Sequence, residues 1–242
     1  MRILVISDIH ANLTALDAVV QHAGEIDATW CLGDLVGYGP DPNECITRLN
    51  QLPNVTCLIG NHDAAALGKI DIDTFNPEAR LAVLWTQETL TPENKDFLLG
   101  LKEQQVMGDV TIAHGSPRQP VWEYLLDTRT ATQNFDFFYT PFCFVGHSHL
   151  PVIYQLVDGR QWADLIIPES QTSKQLIPRA ILNPGSVGQP RDRDPRAAYA
   201  IFSPDDLTWE QYRVEYDIVS VQSRMQAAEL PQRHITRLTS GW

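Results

Sequence analysis

Five short clusters of histidine, aspartate and asparagine residues are spread along this chain of 242 residues. The clusters are Ser7-Asp8-Ile9-His10, Gly33-Asp34, Gly60-Asn61-His62-Asp63, Ala113-His114-Gly115 and Gly146-His147-Ser148-His149. Of the seven histidines, only His22 and His234 lie outside them. Imidazole nitrogens and carboxylate or amide oxygens bind divalent metal ions, and a pair of ions needs such donors from several chain segments. The clusters therefore predict a two-metal site, and such sites most often hydrolyse phosphate esters.

Each cluster lies at or just after the carboxyl end of a predicted strand. Short apolar or β-rich runs predict strands at residues 3–6, 28–32, 55–59, 110–113 and 142–145. In open α/β sheets, the carboxyl ends of the strands form the edge where crevices and ligand sites lie. One rim therefore receives polar groups from five segments, at Asp8, Asp34, Asn61, His114 and His147.

Helical patterns separate the strands in the first part of the chain. Asp41 and Pro42 predict the cap and the first position of a helix over residues 42–52. Residues 78–90 predict another helix, and Thr91-Pro92-Glu93 opens the next one. The resulting β-α-β-α-β order, with short connections, predicts a parallel layered sheet.

The second part of the chain is richer in strands. They are predicted at residues 152–157, 175–182, 198–202 and 208–216, followed by a last helix at residues 218–228. No linker, repeat or low-complexity tract divides the chain, and two sheets stacked between helices accommodate both parts. We therefore predict an α/β fold, a four-layer α-β-β-α sandwich with two stacked mixed sheets, formed by a single domain of residues 1–242.

Composition and charge limit the classes of function. Hydrophobic residues make up 43% of the chain, yet no apolar run approaches the roughly 20 residues that span a bilayer. The start turns polar at Asp8, too early for a signal peptide, so we expect a cytoplasmic protein without a membrane partner. The net charge of −12 argues against binding nucleic acid polymers, but not against a phosphate substrate, because bound metals set the local charge. Cys31, Cys57 and Cys143 lie in apolar runs and are expected to be buried thiols.

The order and spacing of the clusters resemble a known family. The chain resembles the calcineurin-like metallophosphoesterases in five motifs that follow in the same order: Asp8-x-His10, Gly33-Asp34, Gly60-Asn61-His62-Asp63, His114 and Gly146-His147-x-His149. Residues 33–40 and Asn183-Pro184-Gly185-Ser186-Val187 resemble the compact bacterial and archaeal phosphodiesterases of that superfamily. The resemblance covers residues 1–190.

The resemblance assigns the cluster residues to two metals. One ion would be held by Asp8, His10, Asp34 and His149. The second would be held by Asp34, Asn61, His114 and His147. Asp34 would bridge them, since the two oxygens of a carboxylate can span ions about 3.5–4 Å apart. Nitrogen and oxygen ligands suit several divalent ions, so we expect Mn first, with Fe, Ni, Co or Zn as alternatives.

The same resemblance implies a hydrolytic mechanism. A hydroxide bridging the two ions would attack phosphorus, and the net positive charge left at the site favours an anionic ester. His62 adjoins the ligand Asn61 and is expected to protonate the leaving group, because imidazole can donate a proton near neutral pH. Asp63 either orients His62 or caps a helix that starts before Ala64.

Three features outside the clusters have two interpretations each. Residues 116–139 carry several aromatic rings, which either overhang the metals as a lid over a nucleobase or pack in the core. Arg191 and Arg193 either clamp a phosphate oxygen or belong to a solvated, mutually neutralising charge run. His22 on a surface helix and His234 in a polar tail are both expected to be solvated.

We therefore predict a metal-dependent phosphoric ester hydrolase. The preferred activity is a phosphodiesterase acting on a small phosphate ester or nucleotide, and the sequence does not fix the oligomeric state. One alternative is a non-catalytic protein-binding scaffold, as in a retromer subunit of the same fold, but every expected ligand and His62 are present. The other is a protein phosphatase, in which an acidic residue and an arginine follow the Gly-Asp pair, where this chain has Val36-Gly37-Tyr38. A nuclease is disfavoured by the lack of a basic surface.

Overall fold

Twelve strands and eight α-helices make up the structure, a computed structural model that describes residues 1–242. The strands are β1 Ile3–Ile6, β2 Ala28–Cys31, β3 Val55–Cys57, β4 Gln104–Met107, β5 Val110–Ala113, β6 Phe142–Phe144, β7 Val152–Gln155, β8 Asp164–Ile166, β9 Thr172–Gln175, β10 Ala180–Asn183, β11 Ala197–Ser203 and β12 Thr208–Val214. The helices are α1 Leu13–Ala23, α2 Pro42–Asn50, α3 Asn61–Ala66, α4 Pro77–Thr89, α5 Pro92–Leu99, α6 Thr128–Asn134, α7 Ile218–Ala227 and α8 Gln232–Ser240. Two short 3-10 helices cover Ile72–Thr74 and Phe135–Phe137.

The strands form two mixed sheets of six strands each. The first sheet has the order β3-β2-β1-β11-β12-β9, and β1, β2 and β3 run parallel, as the β-α-β-α-β pattern predicts. The second sheet has the order β4-β5-β6-β10-β7-β8, with a parallel centre of β5, β6 and β10. Both sheets therefore aim the carboxyl ends of several strands at the same rim, where the predicted clusters lie.

Alternate residues of β1 show how the layers pack. Ile3 and Val5 belong to a core cluster between the two sheets, while Leu4 and Ile6 belong to the core under the helices α1 and α2. A strand buried on both faces needs apolar residues at every position, which is why the run is continuous. On the outer face of the second sheet, Cys143 packs with residues of α6. The predicted four-layer sandwich is confirmed.

A separate cluster joins three helices beside the rim of the first sheet. It combines α4, α7 and α8 with the ring of Tyr38, through residues such as Ala82, Met225 and Leu238. The helix α8 is amphipathic and brings its buried face to this cluster. It thereby places the end of the chain next to the predicted site.

Several predicted boundaries are wrong. The residues predicted as one strand at 175–182 belong to two strands, β9 and β10, which lie in different sheets. Pro178 lies between them and interrupts the strand, because proline has no N–H to donate to a neighbouring strand. The sequence pattern does not identify the strands β4 and β8 or the helix α8, since their sequences are mostly polar or very short. Asp41 precedes α2 but does not cap it, because its carboxylate binds Arg224 instead.

All four cysteines are free, and three of them are buried. Cys57 is half-buried as a residue and packs against the core under α1 and α2. No helix combines the length and the apolar character needed to cross a membrane.

Candidate metal centre

The predicted metal ligands converge at the rim. Three overlapping groups of buried side chains have potential ligand atoms within 4.8 Å of one another: Asp8, His10 and His149; His10, Asp34 and His62; Asp34, His114 and His147. Asn61 joins them, because its Oδ1 lies 3.2 Å from Nε2 of His114. Asp34 is shared by two groups, which places it between the two halves of the candidate centre.

Sharp turns at the strand ends bring these residues together. Asp8, His10, Asp34, His147 and His149 all have positive φ angles, between 49° and 64°. Residues other than glycine seldom adopt this left-handed conformation, which costs on the order of 1 kcal/mol or more per residue and clusters at functional sites. The backbone therefore turns sharply after β1, β2 and β6. The residues in the unfavourable conformation are the predicted metal ligands themselves.

Glycines next to the ligands leave room for their carboxylates. A Cβ atom at Gly60 would lie 2.0 Å from Oδ1 of Asp34, and one at Gly146 would lie 1.9 Å from Oγ of Ser7 and 3.0 Å from Oδ2 of Asp8. Any side chain at these two positions would displace the carboxylates. The Gly residues of the sequence clusters therefore have a steric role at the centre.

Backbone carbonyls fix the orientation of four histidine rings. One ring nitrogen of each lies against a carbonyl oxygen: Nδ1 of His10 on Val36, Nδ1 of His114 on Leu32, Nδ1 of His149 on Gln189, and Nε2 of His147 on Trp122. A carbonyl can only accept, so these nitrogens carry the protons and the lone pairs of the others face the centre. The inward nitrogens approach each other to 3.1 Å in one pair and 3.2 Å in the other.

Two buried carboxylate oxygens have no hydrogen-bond donor. They are Oδ1 of Asp8 and Oδ2 of Asp34. Oδ2 of Asp34 lies 3.7 Å from Nε2 of His10 and 3.4 Å from Nε2 of His114, while Oδ1 accepts the backbone N–H of His62. An unsatisfied buried acceptor is costly, and a set of anionic oxygens with inward imidazole lone pairs fits divalent cations. Oδ2 of Asp34 therefore faces the inward nitrogens of two histidines, which is consistent with the expected position of Asp34 between two ions.

The pKa values of the metal-free centre show strong electrostatic interactions among its buried side chains. Burial raises the pKa of Asp8 to about 7. Burial acts in the same direction on Asp34, but the positive charge of His114 and His62 holds the pKa of Asp34 well below its usual value. Asp34 in turn raises the pKa of His114 to about 9 against the effect of burial. In the metal-free protein the inward nitrogen of His114 is therefore protonated as well, and a bound cation would displace that proton.

His62 lies at the edge of the centre among aromatic rings. Its ring centroid is 4.2 Å from that of Tyr38, 4.9 Å from that of His10 and 5.1 Å from that of Phe75. Its Nδ1 has no hydrogen-bond partner, and burial lowers the pKa of the ring to about 4. The ring is therefore held by packing and keeps a free nitrogen.

Asp63 binds backbone groups instead of the His62 ring. Its carboxylate accepts the N–H of Gly60 and the N–H of Val36, each at 2.9 Å. The first bond caps the start of α3, and the second ties the Gly33-Asp34 segment to it. Of the two interpretations from sequence, this geometry supports the cap.

Residues 116–139 divide between the site and the core. Tyr124 stacks on the ring of His147 at 3.7 Å, and the ring of Trp122 lies 5.5 Å from that of Phe75. Phe135 and Phe138 are buried in the core instead. The segment is therefore a wall of the site in its first half and a packing element in its second.

A polar network anchors the part of this segment that touches the ligands. Glu123 accepts hydrogen bonds from Ser116, Arg118 and Asn134. Arg118 is thus paired with the carboxylate of Glu123. The network fixes Trp122, whose carbonyl oxygen orients His147.

The interpretation of residues 189–194 as a mutually neutralising run is wrong. Asp192 pairs with Arg213, and Asp194 pairs with Arg196. Arg193 lies over the ring of Trp242 at 4.9 Å. Arg191 faces the centre, 5.9 Å from the ring of Tyr38.

The expectation for His234 is also wrong. Its exposed fraction is 1%, and its ring lies 4.5 Å from that of Tyr38. The signal that could have revealed this is the helical spacing of His234, Ile235 and Leu238, which form the buried face of α8. His22 is exposed, as expected, and its Nδ1 lies 2.7 Å from the hydroxyl of Tyr199. Tyr38 itself could have been found, since it follows the Gly33-Asp34 pair closely.

Comparisons with known proteins agree with this geometry. A model of the calcineurin-like phosphoesterase superfamily domain matches residues 1–207. An uncharacterised protein of Methanocaldococcus jannaschii is 39% identical over 238 residues, 95% of this chain and 94% of the relative. A metallophosphoesterase from Sphaerobacter thermophilus has a similar crystal structure, with 47% identity, a TM-score of 0.92, and coverage of 100% of this chain and 99% of that one. A hypothetical protein from Pyrococcus horikoshii shares the fold, with 22% identity, a TM-score of 0.82, and coverage of 100% and 98%.

The chain belongs to the calcineurin-like phosphoesterase superfamily. With its candidate metal-binding histidine and aspartate groups, it is a metal-dependent phosphoric ester hydrolase.

Proposed function

We propose that this protein is a two-metal phosphodiesterase that hydrolyses a small phosphate ester or nucleotide. The observation that carries the proposal is the shared position of Oδ2 of Asp34, within 3.7 Å of His10 and 3.4 Å of His114. The two ions, Mn first among the alternatives, acidify water and neutralise charge on the phosphoryl oxygens when bound. The proposed ligands are the residues assigned above: Asp8, His10, Asp34, Asn61, His114, His147 and His149.

His62 is proposed as the proton donor to the leaving group. Its ring packs against His10 and belongs to the same group of side chains as His10 and Asp34, so it borders the centre. A pKa of about 4 leaves the ring neutral at pH 7 in the free protein. An anionic ester beside it raises the pKa of the ring, so that His62 takes up a proton from water and can pass it to the leaving oxygen. Asp63 contributes by holding the loop in which His62 lies.

The residues around the centre support a small ester over a phosphoprotein. Tyr38 is buried and packs on both His10 and His62, at the place in the sequence where protein phosphatases of this superfamily carry an arginine. A cleft of about 370 Å³ lies beyond Trp122, whose carbonyl contacts His147, and is lined by apolar residues such as Ile59 and Leu101 together with Lys69 and Glu103. These features favour a compact substrate with an aromatic or apolar group.

The scaffold alternative is less consistent with the buried charges. A protein that only binds partners gains nothing from unpartnered oxygens on Asp8 and Asp34, which cost about 1–3 kcal/mol each when left unsatisfied. Their retention in a buried, carbonyl-oriented set of imidazoles is explained by metal binding.

The test is hydrolysis of bis(p-nitrophenyl) phosphate beside p-nitrophenyl phosphate, on chelator-stripped protein before and after addition of Mn²⁺. We expect metal-dependent cleavage of the diester at a higher kcat/KM than that of the monoester. Asp34→Asn should abolish it, whereas Asp17→Asn, which removes an exposed carboxylate paired with Arg48, should not. A faster monoester reaction would overturn the diesterase assignment, and no reaction with any divalent ion would favour the scaffold.

A further inference from the structure

Two arginines beside the centre have no acidic partner. Arg191 and Arg237 donate to the same oxygen, Oε1 of Gln189, at 3.0 Å and 3.2 Å. The acids near them are bound elsewhere: Asp192 pairs with Arg213, Asp194 with Arg196, and Glu78 lies 3.9 Å from Arg233. We refer to Arg191 and Arg237 as the arginine pair.

The arginine pair is attached directly to the metal centre. Gln189 is buried, and its backbone oxygen accepts from Nδ1 of His149 while its side chain holds both guanidinium groups. Arg191 lies 5.9 Å from the ring of Tyr38, whose other neighbours are the rings of His10 and His62. The pair therefore lies on the side of the centre where the proposed proton donor is found.

Holding two guanidinium groups on one neutral oxygen is unfavourable without an anion. Burial and the charge of Arg191 both lower the pKa of Arg237, and Nε of Arg191 is buried without a partner. A carboxylate brings one charge and would match one arginine. A phosphoryl group brings nearly two charges and three oxygens, so it matches two guanidinium groups with several donors.

We propose that the arginine pair binds a second phosphoryl group of the substrate, apart from the ester cleaved at the metals. The enzyme then prefers esters that carry a further phosphoryl group, such as a terminally phosphorylated dinucleotide, over esters that carry none. This inference rests on the proposed function, because it names the substrate class of the same site.

The kinetic test compares the dinucleoside monophosphate ApA with the same compound bearing a 5′ or a 3′ terminal phosphate. For the wild-type enzyme we expect one phosphorylated form to have a kcat/KM about tenfold or more above that of ApA, as one charged hydrogen-bonding group provides. Arg237→Gln should reduce this ratio toward one. Arg233→Gln, which removes an exposed charge from the same helix, should leave the ratio unchanged.

A binding measurement separates this inference from the proposed function. Calorimetric titration of the metal-stripped protein with inorganic phosphate should show binding that Arg237→Gln weakens about tenfold and Arg233→Gln does not. If the wild type cleaves bis(p-nitrophenyl) phosphate but shows equal kcat/KM for ApA and its phosphorylated forms, only the inference on the arginine pair fails. If Arg237→Gln slows all substrates by the same factor, the pair acts on the cleaved phosphate and the inference is overturned. If no ester is cleaved, the proposed function fails. If Arg237→Gln binds inorganic phosphate as tightly as the wild type, the anion site at the arginine pair is overturned as well.

Discussion

At the scale of single residues, the proposed chemistry of the site depends most on the position of Oδ2 of Asp34. Its other oxygen accepts the backbone N–H of His62, and Oδ2 faces His10 and His114. The same hydrogen bond places the His62 backbone against the proposed bridging residue. The proton donor and the bridging ligand are therefore coupled in position, although they have different proposed roles.

The proposed role of His62 gives a specific kinetic expectation. His62→Ala should retain bound metal, because the ring is not among the proposed ligands, and should lower kcat for a methyl phosphodiester by about 10²–10⁴-fold. The loss should be much smaller for bis(p-nitrophenyl) phosphate, since nitrophenolate leaves without a proton. Metal analysis and kcat on both substrates check this, and loss of metal in the variant would contradict the division of roles.

At the scale of elements, the strand ends and their following loops hold the ligands. We expect Gly60→Ala to lose metal and activity, because a Cβ at this position would lie 2.0 Å from Oδ1 of Asp34. Gly100 is a matched control at the end of α5, where a Cβ would meet no atom closer than 3.5 Å. Comparable metal content in the two variants would show that the close approach of Gly60 is not needed.

The segment that carries Trp122 makes a second element-scale prediction. Glu123→Ala removes the acceptor that binds Ser116, Arg118 and Asn134, and so loosens the carbonyl that orients His147. Outer partners of metal ligands change metal affinity by about 10–100-fold, and we expect weakening in that range by competition with a fluorescent chelator. Glu93→Ala on the exposed face of α5 is the control. Equal metal affinities of Glu123→Ala and the wild type would show that the Glu123 network is not needed to orient His147.

Many of the helices and strands can be predicted from the sequence, and the others escape prediction for physical reasons. Continuous apolar runs identify β1 because it is buried on both faces. The edge strand β8 has only three residues and little burial, so it carries no such pattern. His234 was misjudged because α8 is polar overall and its buried face is defined by packing on Tyr38, α4 and α7. The pairing of Asp192 with Arg213 spans two distant segments, which local charge patterning cannot show.

At the scale of the whole molecule, the buried histidines couple stability to pH. Burial lowers the pKa of His234 from 6.5 to about 4. As the pH falls, His234 takes up a proton at about pH 6.5 in the unfolded chain but only at about pH 4 in the folded protein. The free energy of unfolding therefore decreases as the pH falls through this window. Above pH 6.5 the residue contributes no pH dependence.

Replacing this histidine should flatten the acid side of the stability profile. For the metal-stripped protein, we expect His234→Phe to lose less free energy of unfolding between pH 7 and pH 4 than the wild type, by about 2–3 kcal/mol. Urea unfolding at several pH values measures the difference. Parallel profiles would mean that His234 takes up its proton in the folded state.

The metal centre also joins the two halves of the molecule. Its proposed ligands come from the ends of β1, β2 and β3 in the first sheet and of β5 and β6 in the second. Their convergence depends on the stacking of the two sheets, which no single segment of the sequence encodes. The most direct test of the account is therefore the number of ions that this site binds.

The decisive measurement is the metal content of the Mn²⁺-loaded, dialysed protein, determined by mass spectrometry of the metal against protein concentration. The account predicts two ions per chain for the wild type and a clear loss in Asp34→Asn, because that carboxylate serves both positions. One ion per chain, or two ions that Asp34→Asn leaves in place, would contradict a two-metal centre bridged by Asp34.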